Sequence, residues 1–592
     1  MAATGDPDKQ SSVGEYRDFD SVTDVMGGFG RYQKLVIFLV MIPAIFPNGF
    51  FNYNVVFMAA TPDVYGCVLP IENFTVHDLA LFAPLERRNG ELVPSRCRMY
   101  ELNYTSETRA HLLEIINRSS VALTTIPCTD GWVYNREVYQ STVVTEWDLV
   151  CDRESYASLS FSTSTFGGLF GPFLWAFSAD RFGRKQAFFC MLGFQLIFGI
   201  ATAFAPSLIW FYVFRFCVGM CTSFIYTVGL LMCIELTGKK TRALMSVICS
   251  VGYTCSVFAV LGIAYAVRTW RGLALASSTP LLFIFALWKF FPESPRWLLA
   301  HKHYDRLEDY VKKVARINGK TLSPKFVADL PEILSQIDDA EFAEKTSLLD
   351  LFRTPNLRKK ALLLSFVNFC NVGIFSGLNL YAPAFGANPH FNTLLANLVE
   401  LPPYVFARFI CDKAGRRLSL FYPMFLCSAF CLSTVAVSAS AATTILALSL
   451  CAKFCITLTF LVAELYEDEI FPTVVRGQGH SFTNAVSNLA GVSVPFVVSL
   501  GSTFTILPLV IFGCLCTIAA AAALFLPETV GKELPQTLLD GETFGKDMTW
   551  KSILTLIPVW IKKRKVEGAE ATHPIEPPNT IVLTTKSTDK IQ

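Results

Sequence analysis

Charged residues are scarce in this chain. Asp, Glu, Lys and Arg supply 17% of its 592 residues, against about 25% in an average soluble protein. That is too little to coat the several cores into which a soluble chain of this length divides. Histidine is scarcer still, with seven copies. The closest two, His301 and His303 in AHKHYD, stand two apart without companion ligands and read as surface residues, so no metal site or cofactor is expected. A phosphate-cradling loop of the form G-x-x-x-x-G-K-S/T is missing as well. The nearest string, VARINGKT, has Val314 in place of the first glycine, which leaves no visible ATP-hydrolysing site. The net charge of +2 comes without a clustered basic face, so nucleic acid is not an expected partner. The first 30 residues contain no apolar signal core, and the first hydrophobic helix must then direct its own insertion.

What the chain has in quantity is apolar: 52% hydrophobic residues, among them 51 Phe. Leu35–Pro62 and Tyr156–Ala179 hold no Asp, Glu, Lys or Arg, and each is long enough for a bilayer core, which takes about 20 residues. The same reading along the chain gives twelve spans: 35–58, 156–179, 187–205, 209–234, 244–266, 273–291, 361–383, 391–410, 418–438, 443–465, 479–500 and 505–526. The expected fold class is an all-α integral membrane protein with twelve transmembrane helices in two six-helix halves. Residues 1–34 form a cytosolic N-terminus, 35–291 the first bundle, 292–360 a cytosolic loop, 361–526 the second bundle and 527–592 a cytosolic tail.

The polar segment 61–155 separates spans one and two. It holds Cys67, Cys97, Cys128 and Cys151 and three glycosylation sequons, at Asn73, Asn103 and Asn117. That grouping fits an oxidising, extracellular loop, and four cysteines allow three disulfide pairings. The short loops after spans two and eight, DRFGRK (180–185) and DKAGRR (412–417), each carry a net +2 and fall on the opposite side, where the positive-inside rule wants them. Both termini are then cytosolic, and the plasma membrane is the expected location.

The two basic loops are twins, 232 residues apart. Glu235 and Arg242 in ELTGKKTR repeat as Glu469 and Arg476 in EIFPTVVR, 234 residues later, and Glu293 of PESPRW repeats as Glu528 of PETVGK at 235. A near-constant offset in three motif pairs marks a duplication. Two six-helix halves in the same orientation are the plan of parallel-repeat transporters, whose substrates bind between the repeats near the bilayer midplane.

The pattern D-R/K-x-G-R/K-R/K after spans two and eight resembles the major facilitator superfamily. CTDGWVYN and TEWDLVC before span two, PESPRWLL after span six and FPTVVRGQG before span eleven resemble its organic cation/anion/zwitterion transporter family, from about Phe19 to Gly545. The resemblance implies alternating access, with a cytoplasmic latch built from Asp180, Arg181, Gly183 and Arg184, repeated by Asp412, Gly415, Arg416 and Arg417. Arg215, Glu235, Arg242, Glu469 and Arg476 are expected in the same network. The competing reading gives these charges a topological role alone, although an Asp is not needed for that.

For cargo, the resemblance points to Glu400 in LVELPP, Lys453 in CAKFC, Asn488, Tyr226, Phe369, Phe375 and Asn52, and Glu464 lies three helical turns beyond Lys453. Glu400 can serve cargo or pair with Lys453. For any one Phe, lipid contact or helix packing is the simpler role. Cation carriers of the family tend to have Asp and anion or carnitine carriers Arg where this chain has a neutral Asn488, so neither charge rule transfers. The expected function is secondary-active or facilitated transport of small organic cations or zwitterions. The alternatives are an organic anion carrier and a non-transporting, receptor-like relative. The expected partners are the small organic ion and the lipid bilayer, with no oligomeric state implied.

Overall fold

The computed structural model describes residues 19–546 and 548, apart from 72–73, 89–90, 103, 105–108, 120–122, 239–240, 342–347, 383–388, 439–440, 503, 505 and 533–534. Asn73 and Asn103 therefore lie outside the described residues, and Asn117 falls in the helix Arg109–Ser119. Two hydrophobic cores account for most buried side chains. One runs from Phe19 to Ile337 and the other from Leu351 to Leu526.

Among the described residues, ten helical segments are long and apolar enough to cross a bilayer: Arg31–Met58, Arg184–Ala203, Leu208–Glu235, Leu244–Ala266, Trp270–Lys289, Pro355–Tyr381, Arg416–Ala436, Ala442–Ile470, Arg476–Ser499 and Leu507–Leu524. Two further helical stretches, spans two and eight of the sequence reading, fill the remaining places, and each departs from a plain apolar rod for a physical reason.

Span two is Glu154–Phe182, a helix of 29 residues rich in Ser, Thr and Gly. It gives up hydropathy for close packing. A Cβ on Gly167 would stand 2.2 Å from the Phe216 carbonyl oxygen, and one on Gly171 would stand 1.8 Å from that of Met220. The Gly-x-x-x-Gly face thus lets span two lie against span four (Leu208–Glu235) backbone to backbone. Its Phe166, Phe170, Phe173 and Phe177 are exposed, stepping round one face at helical spacing, as lipid-facing residues do. Span eight is broken into Pro389–Leu398 and Leu401–Ala414. Pro402 and Pro403 have no N–H to return to the preceding turn, and Glu400 stands at the break as the cap of the second piece.

The halves meet along span two against span eleven (Arg476–Ser499) and span five (Arg242–Ala266) against both pieces of span eight. Ser162 Oγ donates to the Val492 carbonyl at 2.9 Å. Near the far end of span five, His390 is ringed by Phe57 at 5.4 Å, Tyr139 at 5.7 Å and Tyr265 at 5.9 Å between ring centroids. These two joining contacts lie toward the end that carries residues 61–155.

That extramembrane segment has a small core of its own and, among the described residues, three two-stranded antiparallel sheets. Of the three possible pairings, the disulfides are Cys67–Cys128 and Cys97–Cys151. Tyr65–Cys67 pairs with Trp132–Tyr134, so the CTDGWVYN motif closes this sheet. Glu146 of TEWDLVC anchors the segment to span six, accepting from Trp270 Nε1 at 2.7 Å and Arg271 at 2.5 Å. At the opposite end, helices Pro295–Ala300, Tyr304–Ile317 and Pro324–Glu341 bury Leu307, Val311, Val314, Leu330 and Ile333 against the first core.

Candidate functional site

The break in span eight sets Glu400 in the middle of the bundle with no exposure. Lys453 of span ten (Ala442–Ile470) reaches it: Nζ lies 2.8 Å from Glu400 Oε1, with both side chains at most 1% exposed. The ammonium also lies 3.2 Å from the Phe375 ring centroid and 3.4 Å from the Phe375 carbonyl oxygen. Isolated charges in an apolar interior are very costly, and each ion here compensates the other. Of the two roles left open for Glu400, the pair is the one the geometry displays.

Around the pair stand hydroxyls and amides from both halves. Asn379 Nδ2 of span seven (Pro355–Tyr381) donates to Tyr53 Oη of span one at 2.6 Å and faces Glu400 Oε1 at 3.5 Å. Asn52 Nδ2 donates to Tyr253 Oη at 3.2 Å, and Tyr226 meets Tyr253 edge to face at 5.7 Å. Thr254 and Tyr404 bridge the halves at 3.4 Å. Tyr53, Tyr253 and Tyr404 all stand near Glu400. Glu464 is exposed and stands near Tyr226 and Tyr404, one from each half.

The structure thus brings Glu400, Lys453, Phe375, Asn52 and Tyr226 into one shell, with Glu464 nearby. Asn488 is half-buried on span eleven, and its side chain makes no hydrogen bond among the described residues. Phe369 packs partly buried against the second core. Tyr53, Asn379, Tyr253 and Tyr404 belong to the shell but were not legible as candidates, because Tyr and Asn in apolar helices carry no spacing signal. A shallow groove of about 400 Å³ lines the start of span seven at Pro355, Arg358, Lys359, Leu362, Leu363 and Phe366. It is built by one helix face and does not reach this shell.

The charged twins form two belts, each inside its own half. In the second half Arg416 binds Glu469 through Nε and Nη2 at 2.9–3.1 Å, and Thr529 donates to Glu469 at 2.5 Å. Glu528 accepts from the Arg416 and Arg417 amides at 2.8 and 3.3 Å, capping the helix that starts after Gly415 (φ +92°). In the first half Ser294 donates to Glu235, and Glu293 accepts from the Lys185 amide at 3.1 Å just after Gly183 (φ +106°). Both glycines hold a backbone conformation that other residues adopt at a cost. Glu293 and Glu528 were missed as site residues, although their 235-residue offset was the available signal.

Other members deviate from the expected latch. Asp180 pairs with Arg184 one turn on while remaining exposed, and such pairs contribute little. Arg181 lies over the rings of Phe177 and Phe182 at 6.0 and 5.8 Å. Asp412 is also exposed, 3.3 Å from Arg416. Arg242 pairs with Asp20 of the N-terminal helix, which Arg296 of PESPRW also reaches at 2.9 Å. Arg476 opens the helix of span eleven.

Arg215 requires correction. It is 1% exposed and donates to Asn54 Oδ1 and the Phe51 carbonyl, both at 3.2 Å, and to Ser164 at 3.4 Å. It lies 20 residues before Glu235 on one helix, about 30 Å along the axis. Arg215 therefore ties spans one, two and four at the end opposite the belts. Its place in chain order carried the signal, since Arg215 falls near the start of span four (209–234) and Glu235 just past its end.

This architecture defines a class. The chain superimposes on the proton:xylose symporter XylE, a major facilitator superfamily protein, with a TM-score of 0.55 at 17% identity, covering 84% of this chain and 97% of that one. An inward-open form of XylE from E. coli matches with a TM-score of 0.57 at 16% identity, over 86% and 99%. Residues 109–537 match the family described as sugar (and other) transporter. Relatives include a beta-alanine transporter of Drosophila melanogaster, 35% identical over 89% of each chain, and a carcinine transporter of the same organism, 33% identical over 92% of this chain and 82% of that one. The organic cation/carnitine transporter 2 of Homo sapiens is 33% identical over 88% and 93%. The chain belongs to the organic cation/carnitine transporter family of the major facilitator superfamily. It is a multi-pass membrane transporter and not an enzyme.

Proposed function

We propose that this chain carries small protonated amines and amine-bearing zwitterions across the plasma membrane by alternating access. The observation that carries the reading is the buried Glu400–Lys453 pair, 2.8 Å apart, inside a shell of Tyr, Asn and Phe drawn from both halves. The pair sums to zero and Asn488 adds no charge. Glu464 adds an acidic group beside the shell, and among the described residues no unpaired basic one balances it. Aromatic faces add attraction for an ammonium within about 6 Å. An anion would meet these groups without a free cation, because Lys453 is already held by Glu400. The names of the relatives, which include carriers of beta-alanine, carcinine and organic cations, support the same class.

Residues 61–155 face outward as a glycosylated, disulfide-bonded segment, and both termini are cytosolic. The halves are then closed on the outside, at His390 and along Ser162–Val492, while the belts on the cytosolic side stay within their halves. That is an inward-facing carrier. The belts keep each bundle rigid as the halves rock. A monovalent cation draws about 2.3 kcal/mol per 100 mV from the membrane potential, which is enough to concentrate it without ATP.

Uptake of labelled monoamines, beta-amino acids and dicarboxylates by cells displaying the chain tests the reading. Saturable amine or beta-amino acid uptake above that of dicarboxylates is expected. A dicarboxylate preference would establish the anion alternative, and no saturable flux across the panel the receptor-like one.

A further inference from the structure

The central ion pair leaves hydrogen-bond acceptors unused. Glu400 commits Oε1 to Lys453 Nζ at 2.8 Å, while its Oε2, fully buried, has no donor among the described residues. Asn379 donates through Nδ2 to Tyr53 at 2.6 Å, and its Oδ1 has no donor either. The two groups adjoin, since Asn379 Nδ2 and Glu400 Oε1 are 3.5 Å apart. A third such atom, Asn397 Oδ1, belongs to the residue one turn before Glu400, whose Nδ2 is directed to the Thr393 carbonyl at 2.7 Å.

Each buried acceptor without a donor costs about 1–3 kcal/mol. An ion pair kept only for packing does not need an acceptor without a donor on its own carboxylate and another on the amide that adjoins it. Such atoms are complementary to a ligand that brings its own donors. A primary ammonium offers three N–H groups and a positive charge. A quaternary ammonium offers the charge alone and would leave the acceptors unsatisfied. The ring faces of Phe375, Tyr226 and Tyr253 attract both, so they do not discriminate.

On the amine-carrier reading above, we propose that Glu400 Oε2 and Asn379 Oδ1 form a subsite for the N–H donors of the cargo. The chain then selects primary ammonium heads over fully alkylated ones. Asn379, steadied by Tyr53 from the other half, is the specificity-determining residue. Because the Asn379–Tyr53 bond crosses the two halves, rocking opens the subsite to one face and then the other.

The test uses a matched pair, 2-phenylethylamine and its N,N,N-trimethyl derivative, taken up by cells expressing the full chain. The wild type is expected to favour the primary amine by about tenfold or more in kcat/KM, because a site built around hydrogen bonds rejects an analogue that lacks them. Asn379→Leu is expected to bring that ratio close to one. Equal saturable uptake of the two by the wild type would overturn the inference and leave the carrier reading standing. Uptake of neither would overturn both. A ratio unchanged in Asn379→Leu would remove Asn379. If that variant does not reach the surface, the wild-type ratio decides.

Discussion

Lys453 Nζ and Glu400 Oε1 are 2.8 Å apart in the interior of the second bundle. Their charges cancel at the depth where the membrane is least forgiving. The first prediction follows. Lys453→Met leaves a buried carboxylate uncompensated and is expected to cost about 3–5 kcal/mol, read as lost surface expression. The double variant Glu400→Gln/Lys453→Met removes both charges and should recover expression while amine uptake stays low. If the single and double variants express alike, the two residues are not energetically coupled.

Asn488 is neutral and its side chain makes no hydrogen bond among the described residues, so its replacement breaks nothing and changes one charge beside the shell. Asn488→Asp is expected to raise amine uptake relative to dicarboxylate uptake, and Asn488→Arg to lower it, by severalfold each. Identical selectivity in the two variants would place Asn488 outside the path of the cargo.

The belt in the second half depends on the forked guanidinium of Arg416, which binds Glu469 through two nitrogens. Arg416→Lys keeps the charge and loses the fork. It is expected to reach the surface while its turnover falls about tenfold with KM little altered, as fits a part that positions helices and does not touch cargo. Glu528→Gln weakens the cap on the Arg416 and Arg417 amides and should act in the same direction. A change in KM with unaltered turnover would contradict this assignment.

At the other end, His390 is enclosed by Phe57, Tyr139 and Tyr265. His390→Ala removes the residue that these rings close on. An Asn52→Cys probe is then expected to react faster with an impermeant thiol reagent added outside when His390→Ala is also present. Equal labelling with and without His390→Ala would show that the rings do not form the outer seal.

Much of the architecture was legible in the sequence because it follows from local rules. Uncharged stretches set the spans, and the near-constant offsets among Asp180/Asp412, Glu235/Glu469 and Glu293/Glu528 exposed the duplication. Pro402 and Pro403 carry the cause of the break beside Glu400, which the single span 391–410 passed over. What stayed hidden depends on contacts between distant segments. No spacing rule could choose Cys67–Cys128 and Cys97–Cys151 among three pairings, or bring Tyr53 to Asn379, 326 residues away. Span two shows the other limit. Its Gly167 and Gly171 lower its hydropathy for the same reason that they let it pack, so composition alone undervalues it. Arg215 was grouped with the belts by charge type, and a helix length of distance separated it from them.

The most direct test of the central claim is uptake of a labelled monoamine by proteoliposomes holding the purified chain, with an imposed inside-negative potential. The account predicts saturable amine uptake that rises with the potential, toward roughly fiftyfold accumulation per 100 mV at equilibrium for a monovalent cation, and that Glu400→Gln weakens. Saturable uptake of a dicarboxylate in preference to the amine, or amine uptake that Glu400→Gln leaves unchanged, would contradict it.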